Sequence, residues 1–213
     1  MTRTWLAARR CVDFAPVPWS ERIGLMYGSA TTPRTAVLVV DLQVGVVGDC
    51  VDVDGVLART VTLVDRARAE GVPVIWVQDE QDFPRGSAGW ELHPALVPVP
   101  GEARVHKAYR DAFAGTDLQS VLARTATTHL VLTGAQSDYC VRTLGQSAAN
   151  AGYDVTLVSD CHTTTGAHLA GVWVGGEQIV AHVNAYFAGL RYPGQRFAAV
   201  PHDQVVLSAS VVA

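Results

Sequence analysis

Lysine is almost missing from this 213-residue chain: it occurs once, as Lys107, against fifteen arginines. Arginine serves wherever only positive charge is needed, so the lone lysine is a candidate for a place where a compact ammonium fits and a planar guanidinium does not. The alternative reading is a chance survivor of an arginine-rich composition. Long apolar runs are missing too, and nothing approaches the roughly 20 consecutive apolar residues of a membrane span. The opening "MTRTWLAARRCVDF" lacks the apolar core of a secretory signal, which points to a cytoplasmic protein. A basic excess is absent: 16 basic residues face 20 acidic ones, for a net charge of -4, so no nucleic-acid partner is expected. The four cysteines form no CxxC pair and no dense framework, which argues against a disulfide scaffold, and a reducing compartment would keep them as thiols. No GxGxxG follows a strand-like run and Lys107 is not in a GK[ST] loop, so a nucleotide-binding module lacks its phosphate cradle.

What is present is a chain 49% apolar and 17% charged, enough to bury one substantial core. Residues 1–34 carry Pro16, Pro18 and Pro33 without periodicity and read as an irregular leader; residues 35–213 read as one domain. From Thr35 onward, short apolar runs alternate with segments of helical spacing. "TAVLVV", "VPVIWVQ", "ARVHK", "THLVLT" and "YDVTLVSD" read as strands, the last ending at Asp160. "DGVLARTVTLVDRARAEG", "TDLQSVLART", "DYCVRTLGQSAANAG" and "GEQIVAHVNAYFAGL" read as helices, the second opened by a Thr116–Gln119 capping box. The tail "VPHDQVVLSASVVA" reads as an edge strand or a partner-subunit contact. Strand and helix in alternation predict a parallel sheet covered on both faces, a three-layer α/β/α fold.

In such folds ligands bind beyond the carboxyl ends of the strands. There the sequence places Asp41, Lys107 and, across a short turn, Cys140. Asp79 and Asp160 occupy similar places and read as turn or cap residues. Cys11 falls in the leader, and Cys50 and Cys161 read as small buried fillers. Cys140 differs because it opens a helix, where unpaired N–H groups favour a thiolate. Asp41 could take the thiol proton and return it to a departing amine, with Lys107 holding the carboxylate in place. Backbone N–H groups of the "GAQSDYC" turn could stabilise an oxyanion, Gly134 making the turn tight enough.

With "VVDLQ", "HKAYRDAFAGTDL" and "GAQSDYCVRT" in this order, the chain from about Thr35 to Tyr192 resembles the isochorismatase-like cysteine hydrolases. The resemblance implies a catalytic triad of Asp41, Lys107 and Cys140, a cis peptide between Ala135 and Gln136, and an oxyanion hole from the N–H groups of Gln136 and Cys140. It also implies a homo-oligomer and a small amide or lactam substrate, the cyclic amide of streptothricin being the favoured kind, with ureido or N-carbamoyl compounds and isochorismate as alternatives. Family members that cleave a vinyl ether lack the cysteine, so Cys140 favours attack on a carbonyl carbon. The family's nicotinamidases bind a metal through an aspartate and neighbouring histidines after the second strand. "QDEQDFPRGSAGWELHP" offers Asp79 without that cluster, so neither metal nor other cofactor is expected, and His93 reads as a loop residue. Asp111 stands where the family often has Ser, and Cys161 where it often has Ala. Trp90, Phe113, Tyr139 and Trp173 are the candidate pocket walls. A non-hydrolytic alternative is a thiol redox protein using Cys140, with Cys161 as resolving thiol.

Overall fold

A computed structural model describes residues 34–207, which fall within one compact unit, Thr32–Ala213. The leader and Cys11 therefore lie outside the described residues, Arg34 apart. The chain runs β1 (Thr35–Val40), α1 (Val44–Val47), α2 (Val53–Ala69), β2 (Val74–Asp79), β3 (Ala103–Lys107), α3 (Leu118–Arg124) and β4 (His129–Ala135). It continues through α4 (Arg142–Asn150), β5 (Asp154–Thr163), β6 (Ala167–Leu169), β7 (Val172–Val174), α5 (Gly176–Gly189) and β8 (Phe197–Val200).

Six strands form one sheet in the order β3-β2-β1-β4-β5-β8, every neighbouring pair parallel. The period of two along each strand divides the apolar residues between two cores. Ala36, Leu38 and Val40 of β1 face Leu118 and Leu122 of α3, Leu144 of α4 and Val183 and Phe187 of α5. Val37 and Val39 face Val56, Leu57, Leu63 and Val64 of α2. The result is the three-layer α/β/α arrangement that the alternation of patterns predicts. None of its described helices is long and apolar enough to cross a membrane.

Four local readings need correction. The capping box at Thr116 is not formed: the helix starts at Leu118, Thr116 Oγ1 accepts the Leu118 N–H at 3.1 Å, and Gln119 donates to the Tyr153 hydroxyl instead. Asp160 does not end β5, which continues to Thr163 because Gly134 and Ala135 extend β4 beside it after a register shift. The edge strand is β8, which takes in only Val200 of the tail; residues 201–207 continue through a short 3-10 turn, His202–Gln204, anchored by Arg66 on the His202 and Val205 carbonyls, and residues 208–213 lie outside the described residues. The β6–β7 hairpin escaped the sequence reading, since three residues per strand are too few to show a period.

Candidate active site

The strand order reverses direction between β1 and β4, the switch point at which doubly wound sheets bind ligands. Asp41 follows β1 directly with φ 49, a left-handed conformation that a non-glycine residue adopts at some cost, and its side chain is 1% exposed. Cys140 lies on a π-helical turn, Ser137–Val141, between β4 and α4. Lys107 ends β3 on the same face as Val105 and is 1% exposed. From there its amine reaches past the end of β2. Lys107 Nζ sits 2.7 Å from Asp41 Oδ2, 3.2 Å from Asp79 Oδ2 and 3.3 Å from Cys140 Sγ. An acid, an amine and a thiol predicted from three separate motifs are thus brought together, with Asp79 as a fourth member.

Burial dominates the electrostatics. It lifts the Asp41 carboxyl to about 6 even though Lys107 pulls the other way. It also pushes the Cys140 thiol up, to about 12, with the Asp41 charge adding to the rise and Lys107 opposing it. This overturns the expectation of a thiolate held by the helix start: a desolvated thiol beside a carboxylate keeps its proton. For Lys107, burial favours the neutral amine, but the carboxylates of Asp41 and Asp79 more than reverse that and raise its pKa. The cluster is thus an ammonium held between two carboxylates, beside a thiol. Asp41 Oδ1 is buried and has no hydrogen-bond partner among the described residues.

Two polar assemblies support this cluster, and the sequence reading missed both. Fully buried Gln43, in "VVDLQ", donates to the Asp79 and Trp90 carbonyls at 2.9 Å each and accepts the Asp79 N–H at 2.7 Å. It fixes Asp79, whose Oδ1 caps the turn N–H groups of Gln81 and Asp82, leaving Oδ2 for Lys107. Asp79 is therefore both the turn residue expected and part of the charge cluster. Beneath the Cys140 turn, buried Ser137 contacts His162 Nδ1 at 2.8 Å, and His162 Nε2 contacts Asn184 Oδ1 at 2.9 Å. Asn184 Nδ2 donates to the Ser159 carbonyl, so Oδ1 is its acceptor, Nε2 of His162 carries the proton, and Ser137 donates to Nδ1. Only the "SDCHTT" histidine inside a strand hinted at this chain.

The peptide bond between Ala135 and Gln136 is cis. Just before it, Gly134 has φ +128, and a Cβ there would stand 2.0 Å from the Val40 carbonyl oxygen. Gly134 is thus needed inside β4 for the close approach of β1, not for the turn as expected.

A cleft of about 360 Å³ opens over the cluster, lined by Asp41, Gly45, Val46, Asp79, Asp82, Phe83, Arg110, Gln136, Tyr139, Cys140 and Thr165. Of the four aromatic candidates, Tyr139 lines it. Phe113 packs on the core and stacks with Tyr153, and Trp90 lies against His106. Trp173 stands on the β6–β7 hairpin beside His168, 59% exposed. Phe83, from the loop after β2, was missed because nothing in that loop's pattern distinguishes it.

The isochorismatase domain profile matches residues 35–172, well over half of the chain. The chain belongs to the isochorismatase family. Among curated proteins it is 37% identical over 144 residues to a streptothricin hydrolase of Streptomyces noursei, covering 64% of this chain and 57% of that one. A second streptothricin hydrolase of the same organism is 36% identical, with 49% of its length covered, so the chain spans about half the length of these relatives. An isochorismatase structure from Pseudomonas putida KT2440 superposes with a TM-score of 0.74 at 25% identity, covering 90% of this chain and 100% of that one. One from Burkholderia xenovorans LB400 gives 0.72 at 31%, covering 82% and 86%.

Against the metal site of the family's nicotinamidases, Asp79 is committed to Lys107 and to two turn N–H groups. His93 accepts the Ala95 N–H within its own loop. Elsewhere, Asp160, Cys161 and His202 bring ligand-type atoms within 4.8 Å of one another. There the Asp160 carboxylate already accepts the His202 N–H and faces its Nδ1 at 2.8 Å, with Arg59 at 3.8 Å. That arrangement ties the tail to β5.

Proposed function

We propose that this isochorismatase-family hydrolase cleaves a C–N bond of a small amide through a thioester on Cys140. The observation that carries the reading is the Lys107 ammonium within 2.7 Å of Asp41 and 3.3 Å of Cys140 Sγ, at the switch point of the sheet. With its carboxyl raised to about 6, Asp41 is ionised at neutral pH yet basic enough to accept a proton. As Sγ attacks the substrate carbonyl carbon, the thiol proton passes to Asp41 Oδ1, the oxygen without a partner, so two buried anions never coexist. Lys107 holds Oδ2 and thereby aims Oδ1. The N–H groups of Gln136 and Cys140 receive the developing oxyanion. Collapse of the tetrahedral adduct breaks the C–N bond, with the Asp41 proton going to the leaving nitrogen. Water, deprotonated by Asp41, then attacks the thioester; the C–S bond breaks, the acid leaves, and the Asp41 proton returns to Cys140 Sγ.

The favoured substrate class is a cyclic amide of the streptothricin type, supported by the similarity to streptothricin hydrolases. A second reading, a ureido or N-carbamoyl acid, is supported by Arg110 in the cleft and by 34% identity over 76 residues to a ureidoacrylate amidohydrolase of Caulobacter vibrioides, a match covering 36% of this chain and 34% of that one. The redox alternative loses ground because Cys161 packs in the core on the other face of the sheet from the one Cys140 packs against. A homo-oligomer in the cytoplasm completes the reading, and light scattering measures the assembly. The test is a panel of lactams, primary amides, ureido acids and isochorismate, scored for ring opening, ammonia and pyruvate, with intact mass spectrometry for an acyl adduct on Cys140. Turnover that persists in Cys140→Ala would sink the reading.

A further inference from the structure

Arg110 stands three residues beyond Lys107 and lines the same cleft as Asp41 and Cys140. Its guanidinium lies over the Tyr139 ring, 4.1 Å from the centroid. Arg59, Arg68, Arg85 and Arg196 each have a carboxylate within 4.0 Å; of the described arginines without one, Arg110 is the one that lines this cleft. The acid beside it in the chain is engaged elsewhere: Asp111 accepts the Phe113 N–H at 2.9 Å and the Ser147 hydroxyl at 2.7 Å. Within the cleft, Asp41 and Asp79 are bound to Lys107. Asp82, from the loop after β2, is the remaining acid of the lining.

A guanidinium seated over an aromatic face spends no N–H donor on the ring, so its donors stay free to meet two acceptor oxygens side by side. Stacking also removes much of the freedom that an exposed arginine would otherwise lose on binding. Tyr139 directly precedes Cys140 in the chain, so the shelf is built on the nucleophile's own turn and its distance from Sγ is set by that turn.

We infer that Arg110, seated on Tyr139, is an anion subsite that takes a carboxylate of the substrate, joined by a short linker to the carbonyl attacked by Cys140. The inference rests on the amide-hydrolase reading for its second half alone. Within that reading it favours the second substrate class, amides that bear an acid group, over the cyclic amide, with Asp82 the acid of the same cleft that a carboxylate must avoid.

Binding to Cys140→Ala protein tests this without turnover. Malonamate, succinamate and glutaramate are titrated calorimetrically beside their neutral diamides. At least one acid amide is expected to bind about tenfold or more tighter than its diamide, the gain of a charge-assisted bond over a neutral one. Arg110→Gln should erase that preference, and Arg110→Lys should restore part of it. No preference for any acid amide, no binding of any of them at millimolar concentration, or a preference that survives Arg110→Gln overturns the inference. Failure of the hydrolase reading shows separately, as absence of amide turnover by the protein with Cys140 intact.

Discussion

Replacing the single lysine tests the site most sharply, because charge and shape can be varied separately there. In Lys107→Met the ammonium is gone, and the carboxylates of Asp41 and Asp79, both within 3.2 Å of it, lose their shared cation. Removing one partner of a buried pair costs about 3–5 kcal/mol. That is a large part of the ~5–15 kcal/mol that holds an ordinary domain together. Without the cation, burial would also drive Asp41 further toward its protonated form, so the base would be lost. Lys107→Arg keeps the charge. Three acceptors converge at 2.7 to 3.3 Å on the nitrogen of a side chain with no exposure, and a planar fork cannot serve all three from one point. Overpacking alone should cost about 1–3 kcal/mol. Misplacing Asp41 should lower kcat about 100-fold or more, equivalent to ~2.7 kcal/mol at 1.36 kcal/mol per decade. Denaturant unfolding reads the stability change, and steady-state hydrolysis of the best amide of the panel reads kcat. A Lys107→Arg enzyme within about threefold of the parent in kcat would show that only charge matters there, and the reasoning from the lone lysine would fail.

The pH dependence of kcat/KM follows from Asp41: with the carboxyl raised to about 6, the rate should rise with pH through that value and then level, whereas a limb near the ordinary carboxylate value of 3.8 would rule out a desolvated base. Burial holds His162 neutral by lowering its pKa, so the unfolded chain binds more protons below its value of 6.5. The His162 contribution to stability is then present above 6.5 and lost as pH falls through the lower folded value, a loss that should vanish in His162→Gln unfolding curves. Ser137→Ala leaves the His162 Nδ1 acceptor without its donor and should cost about 1–3 kcal/mol; a cost near zero would mean that the chain under the nucleophile turn contributes nothing. Gly134→Ala combines a positive φ with a Cβ 2.0 Å from the Val40 oxygen. It should destabilise by about 2–6 kcal/mol, and a thermal midpoint equal to the parent's would contradict the packing described.

Much of the architecture was legible because it repeats locally. Short apolar stretches, continuous in β1 and broken by polar residues in β3, β4 and β5, declared the buried parallel strands, and helical spacing declared α2, α4 and α5, each fixed by which side chains must leave water. Asp41, Lys107 and Cys140 were legible for a related reason: each stands where an apolar strand gives way to polar residues. Elements without a period were not. The β6–β7 hairpin and the four-residue β8 are too short to show a period, and the second half of β5, Ser159–Thr163, buries His162 and Thr163 beside Cys161, so no apolar run marks it.

What the sequence by itself determined was therefore the layering, the strand-end positions of the acid, the amine and the thiol, and the family-like motifs around them. The ionisation state of the thiol was not in the sequence: proximity to a helix start argued for a thiolate, and burial beside Asp41 reversed the sign. The recruitment of Asp79, the Ser137–His162–Asn184 chain, the placing of Gly134 against Val40 and the seating of Arg110 on Tyr139 were decided by tertiary structure alone. Each joins residues from different strands or loops, at distances of a few ångströms that no spacing along the chain encodes, and desolvation and hydrogen-bond geometry act only across such distances.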